Sequence, residues 1–172
     1  RVLACSPFVA ELGWRKPALL AELLDSDFLQ QTLPESAFRA GLAELQAQPD
    51  AELGPVLRGY RARHMLRIVW RDFCRLADTL ETVRDTSLLA EACIEAAVEH
   101  SQATLEQRFG RPLGSHSQEP QKLIVLAMGK LGARELNVSS DIDLIFAFPE
   151  SGWTDGEKRQ VSNEEFFTKV GQ

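Results

Sequence analysis

Only three cysteines occur in 172 residues, Cys5, Cys74 and Cys93, and no two have CxxC or zinc-type spacing. That excludes a disulfide scaffold, and an odd count without a framework predicts a reducing, cytoplasmic setting. Cys74 and Cys93 fall in helical patterns, which predicts small buried thiols. No run of about 18 apolar residues exists to span a membrane, and the sequence predicts no signal peptide. Positive charge is also short: Lys and Arg number 19 against 25 Asp and Glu, for a net charge of −6. That excludes a general nucleic-acid binder but leaves room for a local nucleotide site, where a metal can offset phosphate charge. A GxxxxGK[ST] phosphate loop is missing, and no segment repeats at a fixed period. His100 has no Cys or acidic partner at ligand spacing, and His64 reads as a surface or packing residue. The chain opens on Arg1 rather than Met and stops in the helix-like NEEFFTKVGQ, which predicts a fragment.

Hydrophobic residues make up 44% and charged residues 26%, enough for one or two modest globular domains. The pattern VLACSPFVAEL predicts a short buried helix over Val2–Leu12, broken at Gly13 and Trp14. Pro17 then opens a second helix at the position where a missing N–H matters least. A third follows Pro34-Glu35-Ser36, and Pro49-Asp50 reads as a turn. From about Pro55 to Asp78 runs the longest helical tract, with Leu57, Tyr60, Met65, Ile68, Val69, Phe73 and Leu76 near helical period. Arg58, Arg61, Arg63, Arg67, Arg71 and Arg75 accompany them. Two readings stand: a solvated face whose Arg stems cover apolar surface, or one or two guanidinium groups reaching a phosphate or an acidic partner. A further helix is predicted over Thr86–Phe109, with Asp85-Thr86-Ser87 as its N-cap and Gly110 as its stop. RPLGSHSQEPQ then reads as a linker or exposed loop. The domain division predicted from it is a helical region over 1–118 and a second domain over 119–172.

The informative stretch is Lys122–Phe148, KLIVLAMGKLGARELNVSSDIDLIFAF. The apolar run LIVLAM predicts a strand buried on both faces. It ends at Gly129-Lys130-Leu131-Gly132, where glycine lets backbone approach a ligand and a helix start offers N–H groups to phosphate. Ser139-Ser140-Asp141-Ile142-Asp143 then heads a second strand. On a strand, residues two apart share a face, so Asp141 and Asp143 project together, while Ile142, Leu144, Phe146 and Phe148 face a core. Paired carboxylates repel unless a cation joins them, and oxygen ligands at this spacing suit Mg²⁺ with substrate phosphates. The plainer alternative is that Asp141 caps a strand or turn and Asp143 is simply exposed. A calcium loop is excluded, because its glycine and downstream Glu are missing.

The order strand, GxxG, spacer and SDxD at the head of a second strand resembles the nucleotidyltransferase superfamily that includes DNA polymerase beta. More narrowly, GKLGARELNVSSDIDLIF is similar to the signature of the glutamine synthetase adenylyltransferase family, and the arginine-rich LRGYRARHMLRIVWRDF resembles that family's helical segment. The resemblance implies an α+β fold: a helical N-terminal region followed by the start of a polymerase-beta-like sheet. It implies metal-dependent nucleotidyl transfer, with Asp141 and Asp143 as catalytic ligands of Mg²⁺, and Gly129, Lys130, Gly132, Ser139 and Ser140 on the nucleotide and phosphate side. ELNVSSDIDLIF after AMGKLG resembles the N-terminal half of family members, which removes AMP from glutamine synthetase by phosphorolysis. Implied partners are glutamine synthetase, ATP or ADP, phosphate and the nitrogen-signalling PII protein. Lys130 stands where the superfamily usually has Ser, and Ala133 where many members have a second glycine. The family's third carboxylate, on a later strand, is not identifiable in this chain. Two other readings compete: a noncatalytic helical module binding glutamine synthetase or a regulator, and a glycosyltransferase holding a nucleotide-sugar through Mn²⁺ at its DxD.

Overall fold

A computed structural model describes residues 2–47 and 52–172; the predicted turn at Pro49-Asp50 lies outside the described residues. The fold is α+β, with a helical N-terminal region and small antiparallel sheets. The chain forms two compact units that interleave in sequence. The first takes residues 1–93 and returns for Ala133–Asp141; the second takes Ile94–Gly132 and Ile142–Gln172. No helix among the described residues is long and apolar enough to cross a membrane.

In the first unit, Pro7 divides the predicted first helix. Helix α1 (Val2–Cys5) stops, and α2 (Pro7–Arg15) starts afresh with Pro7 at its first position and Ser6 Oγ accepting from Val9 N at 3.3 Å. Gly13 and Trp14 were predicted to break this helix but lie inside it, since one Gly weakens a helix without ending it. Helix α3 (Pro17–Asp25) opens at Pro17 as predicted, and α4 spans Ser36–Gln46. Helix α5 (Leu53–Phe73) ends earlier than the apolar pattern predicts, at a turn where Arg75 takes φ 57°. Val2, Val9, Leu23, Leu29, Leu66 and Val69 form the core, with Leu12, Phe28, Trp70 and Val138 packed against it.

The longest helix is instead α6 (Thr79–Phe109, 31 residues), and it begins seven residues before the predicted start. Its cap is Asp78, whose Oδ1 accepts from Glu81 N at 2.7 Å. Asp85, Thr86 and Ser87 are no N-cap; all three are buried inside the helix, where the two hydroxyls donate to carbonyls one turn back. Asp85 points at Arg67 of α5, and the solvated-face reading fails for Arg67 and Arg71, whereas Arg58, Arg61 and Arg75 are exposed as it requires. Arg67 is 0% exposed and Arg71 is 2% exposed. Arg67 donates to Phe28 O (2.9 Å), Asp85 Oδ2 (3.2 Å) and Gln31 O. Arg71 donates to Leu29 O, to Leu76 O (3.0 Å) and to Glu81 Oε1 (2.8 Å).

The segment after α3 is too irregular to satisfy its own carbonyls, and buried carbonyls need donors. The guanidinium groups supply them, so these residues neither cover a solvated face nor reach outward. Burial, and then the neighbouring charge of Arg71, pulls the Arg67 pKa below its ordinary value; Asp85 opposes that. His64 packs among Phe28, Phe38 and Tyr60, with ring centroids 5.5, 5.1 and 4.3 Å away. Burial, helped by Arg63 and Arg67, lowers its pKa to about 3, so it is a neutral packing residue. Cys74 is exposed rather than buried, because α5 ends before it; Cys93 is half-buried.

In the second unit, Gly110 ends α6 at φ 80°. The stretch predicted as a linker or exposed loop is one only in part: Pro112–Gly114 is strand β1, paired antiparallel with β4 (Gly152–Thr154), while residues 115–120 are exposed. The turn after β1 is fastened by Glu150, whose carboxylate accepts from the Ser117 hydroxyl (2.6 Å) and the His116 amide (2.8 Å). Strands β2 (Ile124–Ala127) and β3 (Leu144–Ala147) form a second antiparallel pair, in register Ile124↔Ala147 through Ala127↔Leu144. Helix α8 (Asn163–Val170), capped by Ser162, carries Phe166, Phe167 and Val170 into a core with Phe109 and Val161. Asn163, fully buried, donates to Leu113 O (3.0 Å) and Glu150 O (2.9 Å) and so ties the helix to β1.

The β2–β3 pair corrects a further prediction. Strand β2 is not buried on both faces: Ile124 and Leu126 are 44% and 49% exposed, while Val125 and Ala127 are half-buried. A parallel strand sandwiched between helices would show neither; here β2 is antiparallel and covered on one side. The facing of β3 differs likewise. Ile142 and Phe146 are exposed, whereas Leu144 is half-buried and Phe148 stacks on Phe167 at 5.1 Å.

Candidate functional site

Of the predicted site residues, Gly129, Lys130, Gly132 and Asp143 lie in the second unit, and Ser139, Ser140 and Asp141 in the first. The division of the chain falls between Asp141 and Ile142.

Strand β2 passes into α7 (Gly129–Gly132), a single helical turn. Gly129 takes φ 54°, which favours glycine. A Cβ on Gly132 would collide with the carbonyl of Ala127, so close packing of the turn on the strand demands glycine there. Leu131 is buried beneath the turn and Lys130 lies exposed on it. Both glycines thus have backbone reasons to be glycine. Neither Asp141 nor Asp143 is on the strand: β3 begins at Leu144, although Met128 N donates to Asp143 O at 2.9 Å and extends the ladder by one bond. Both carboxylates are exposed.

In the first unit, Ala133–Asp141 is an irregular segment held at several points. Arg134 sits at φ 57° and grips Glu91 with Nε to Oε1 at 2.9 Å and Nη2 to Oε2 at 3.1 Å. This bidentate contact raises the Arg134 pKa. Leu136 is buried and its N–H donates to Ser87 Oγ at 3.1 Å, while Val138 packs on the core of the unit. Asn137 Oδ1 accepts from Ser139 N, Ser139 Oγ and Ser140 Oγ at 3.2, 3.4 and 2.7 Å.

Sequence reasoning missed Arg134, Glu91, Ser87 and Asn137. Asn two residues before a Ser pair is a local signal for a side-chain-capped turn; nothing in the sequence pairs Arg134 with a residue 43 positions upstream. A cleft of about 460 Å³ in the second unit, lined by Ile94, Val98, Glu99, Glu106, Leu123 and Val125 among others, includes no predicted site residue.

The donor set has the chemistry of a hard-cation site in part. Two exposed carboxylates one residue apart offer only oxygen, as Mg²⁺ prefers. Among the described residues no three His, Cys, Asp or Glu side chains gather into a metal cluster.

Across its whole length, residues 1–172, the chain matches the family described as "Glutamate-ammonia ligase adenylyltransferase". It is 50% identical over 174 residues to the bifunctional glutamine synthetase adenylyltransferase/adenylyl-removing enzyme of Pseudomonas aeruginosa, covering 100% of this chain and 18% of that relative. The proteins of the same description from Pseudomonas putida and Nitrosococcus oceani are 48% and 45% identical, covering 100% and 99% of this chain and again 18% of each relative. The chain therefore spans about a fifth of the length of the curated relatives it matches.

Proposed function

The chain belongs to the glutamate-ammonia ligase adenylyltransferase family, and on that premise we propose that it is the part of the adenylyl-removing half that carries the first two metal-binding carboxylates. What supports the removing half is the wording ELNVSSDIDLIF after AMGKLG, which resembles the N-terminal half of family members; the match over residues 1–172 supports the family alone. Its substrate is then adenylylated glutamine synthetase, with phosphate as the attacking group and the modified tyrosine oxygen as the leaving group. ADP is the nucleotide product, Mg²⁺ is the metal, and PII is the regulatory partner.

Asp141 and Asp143 would hold Mg²⁺, which when bound would neutralise charge on the phosphate of the transferred adenylyl group. The protein's own part in such a transfer is positioning and charge placement rather than covalent chemistry. Gly129 and Gly132 shape the backbone beside the nucleotide, Lys130 supplies an ammonium toward phosphate, and Ser139 and Ser140 form the turn that leads into Asp141.

The test is Asp143→Asn in the full-length protein, assayed by phosphate-dependent release of ADP from adenylylated glutamine synthetase. Removal should fall by about 100-fold or more, with the melting temperature unchanged because Asp143 is exposed. Near-parental release would sink the assignment.

A further inference from the structure

All four hydrogen-bond donors of Ser139 and Ser140 converge on Asn137. Its Oδ1 accepts from Ser139 N, Ser139 Oγ and Ser140 Oγ, and its backbone carbonyl accepts from Ser140 N at 3.2 Å. The orientation of the Asn137 amide follows from Ser139 N, which can only donate and so must face oxygen rather than Nδ2. Each hydroxyl has one proton, and both protons are directed inward.

The turn is also anchored from behind. Leu136 and Val138 flank Asn137 and point into the unit, Ser87 holds the Leu136 N–H, and Glu91 holds Arg134. Asp141 follows Ser140 directly, so the direction of the chain entering Asp141 is set by this turn.

We infer that Asn137 is a positioning residue for nucleotidyl transfer: it locks the Ser139–Ser140 turn, aims Asp141, and keeps both serine hydroxyls from donating to phosphate. The inference rests on the transfer reading above. It separates two roles for the serine pair that give opposite outcomes. Were the serines phosphate donors, loss of Asn137 would free their protons and tighten phosphate binding. As a locked turn, the same loss slackens Asp141 and slows the transfer step while phosphate binds as before.

The experiment compares Asn137→Ala, Asn137→Asp and Asp143→Asn in the full-length protein, with kcat and the KM for inorganic phosphate measured in the removal assay. Asn137→Ala should lower kcat about tenfold or more, since small misplacements near a reacting centre are amplified, with KM for phosphate within about twofold. Asn137→Asp keeps an acceptor oxygen in the same place and should restore kcat to within about threefold, a rescue that a merely structural loss would not show. If the Ala variant does not fold, Asn137→Ser, which keeps a shorter acceptor, takes its place with an expected kcat loss of about fivefold.

Parental kcat in Asn137→Ala, equal impairment of the Ala and Asp variants, or a fall in KM for phosphate would each overturn the inference. The Asp143→Asn arm separates the two failures. If that variant stays active, the transfer reading fails. If it is inactive while Asn137→Ala is parental, only the positioning role fails.

Discussion

Replacing Asp85 by Asn should destabilise the first unit by about 3 kcal/mol. Arg67 has no exposed surface, and its charge is met by one carboxylate oxygen at 3.2 Å and by the carbonyls of Phe28 and Gln31. Removing one partner of a buried pair typically costs about 3–5 kcal/mol, because the charge left behind cannot be hydrated. The lower end applies, since the two carbonyl dipoles remain. Arg84 also loses its 2.7 Å contact with Asp85, but its side chain is 35% exposed, and such pairs contribute little. Against a typical total of about 5–15 kcal/mol the loss is large. Urea unfolding followed by circular dichroism measures it. With a slope of about 1–3 kcal/mol per molar urea, the midpoint should fall by roughly 1–3 M. The double variant Arg67→Met with Asp85→Leu removes the stranded charge but leaves the carbonyls of Phe28 and Gln31 without their donor, so it should recover only part of the loss. A midpoint shift under about 0.3 M for Asp85→Asn, or losses that simply add in the double variant, would refute a charge held by Asp85.

Two further outcomes concern other buried polar groups. His64 is held at a pKa of about 3 against an ordinary 6.5, so the unfolded chain binds its proton first as pH falls. Its contribution to stability is complete above pH 6.5 and declines below it by up to about 1.4 kcal/mol per pH unit, or about 2 kcal/mol by pH 5. His64→Phe should flatten the acid limb of a stability–pH curve by that amount, and identical limbs in the two proteins would refute it. Asn163→Asp sets carboxylate oxygen against the carbonyls of Leu113 and Glu150 and should cost about 2 kcal/mol or more in a thermal melt; an unchanged melt would show that the Asn163 amide does not tie α8 to β1.

Much of the helical scaffold was legible, because apolar residues at helical period and proline at a first turn act locally. Pro17 and Gly110 mark real boundaries for that reason. The α+β class was legible through the family resemblance of GKLGARELNVSSDIDLIF, with the apolar runs LIVLAM and LIFAF as its strand candidates. The failures share a physical cause: their explanations lie far away in sequence. Asp85 resembles a cap until Arg67 is found beside it. Arg67 and Arg71 resemble surface residues until the carbonyls of Phe28, Leu29 and Gln31 appear as their acceptors. Strands β1 and β4 have three residues each, and β1 sits in a stretch rich in Gly, Ser and Pro, so their pairing has no local signature. At the candidate site the residue types were legible, but the anchoring of Ala133–Asp141 by Ser87 and Glu91 was not.

The interleaving of the two units has a consequence for synthesis on the ribosome. The N-terminal helices cannot complete their packing when Cys93 emerges, because Leu136 and Val138 are still to be made. Roughly forty residues intervene, and at about 5–20 residues per second they take about 2–8 s to translate. During that interval the places on α5 and α6 that receive Leu136, Val138 and Arg134 stand open on a nascent chain. A chaperone that binds apolar surface has its opportunity then. Silent codon changes that slow translation between Ile94 and Gly132 should lengthen the wait and lower the folded yield without altering a single residue.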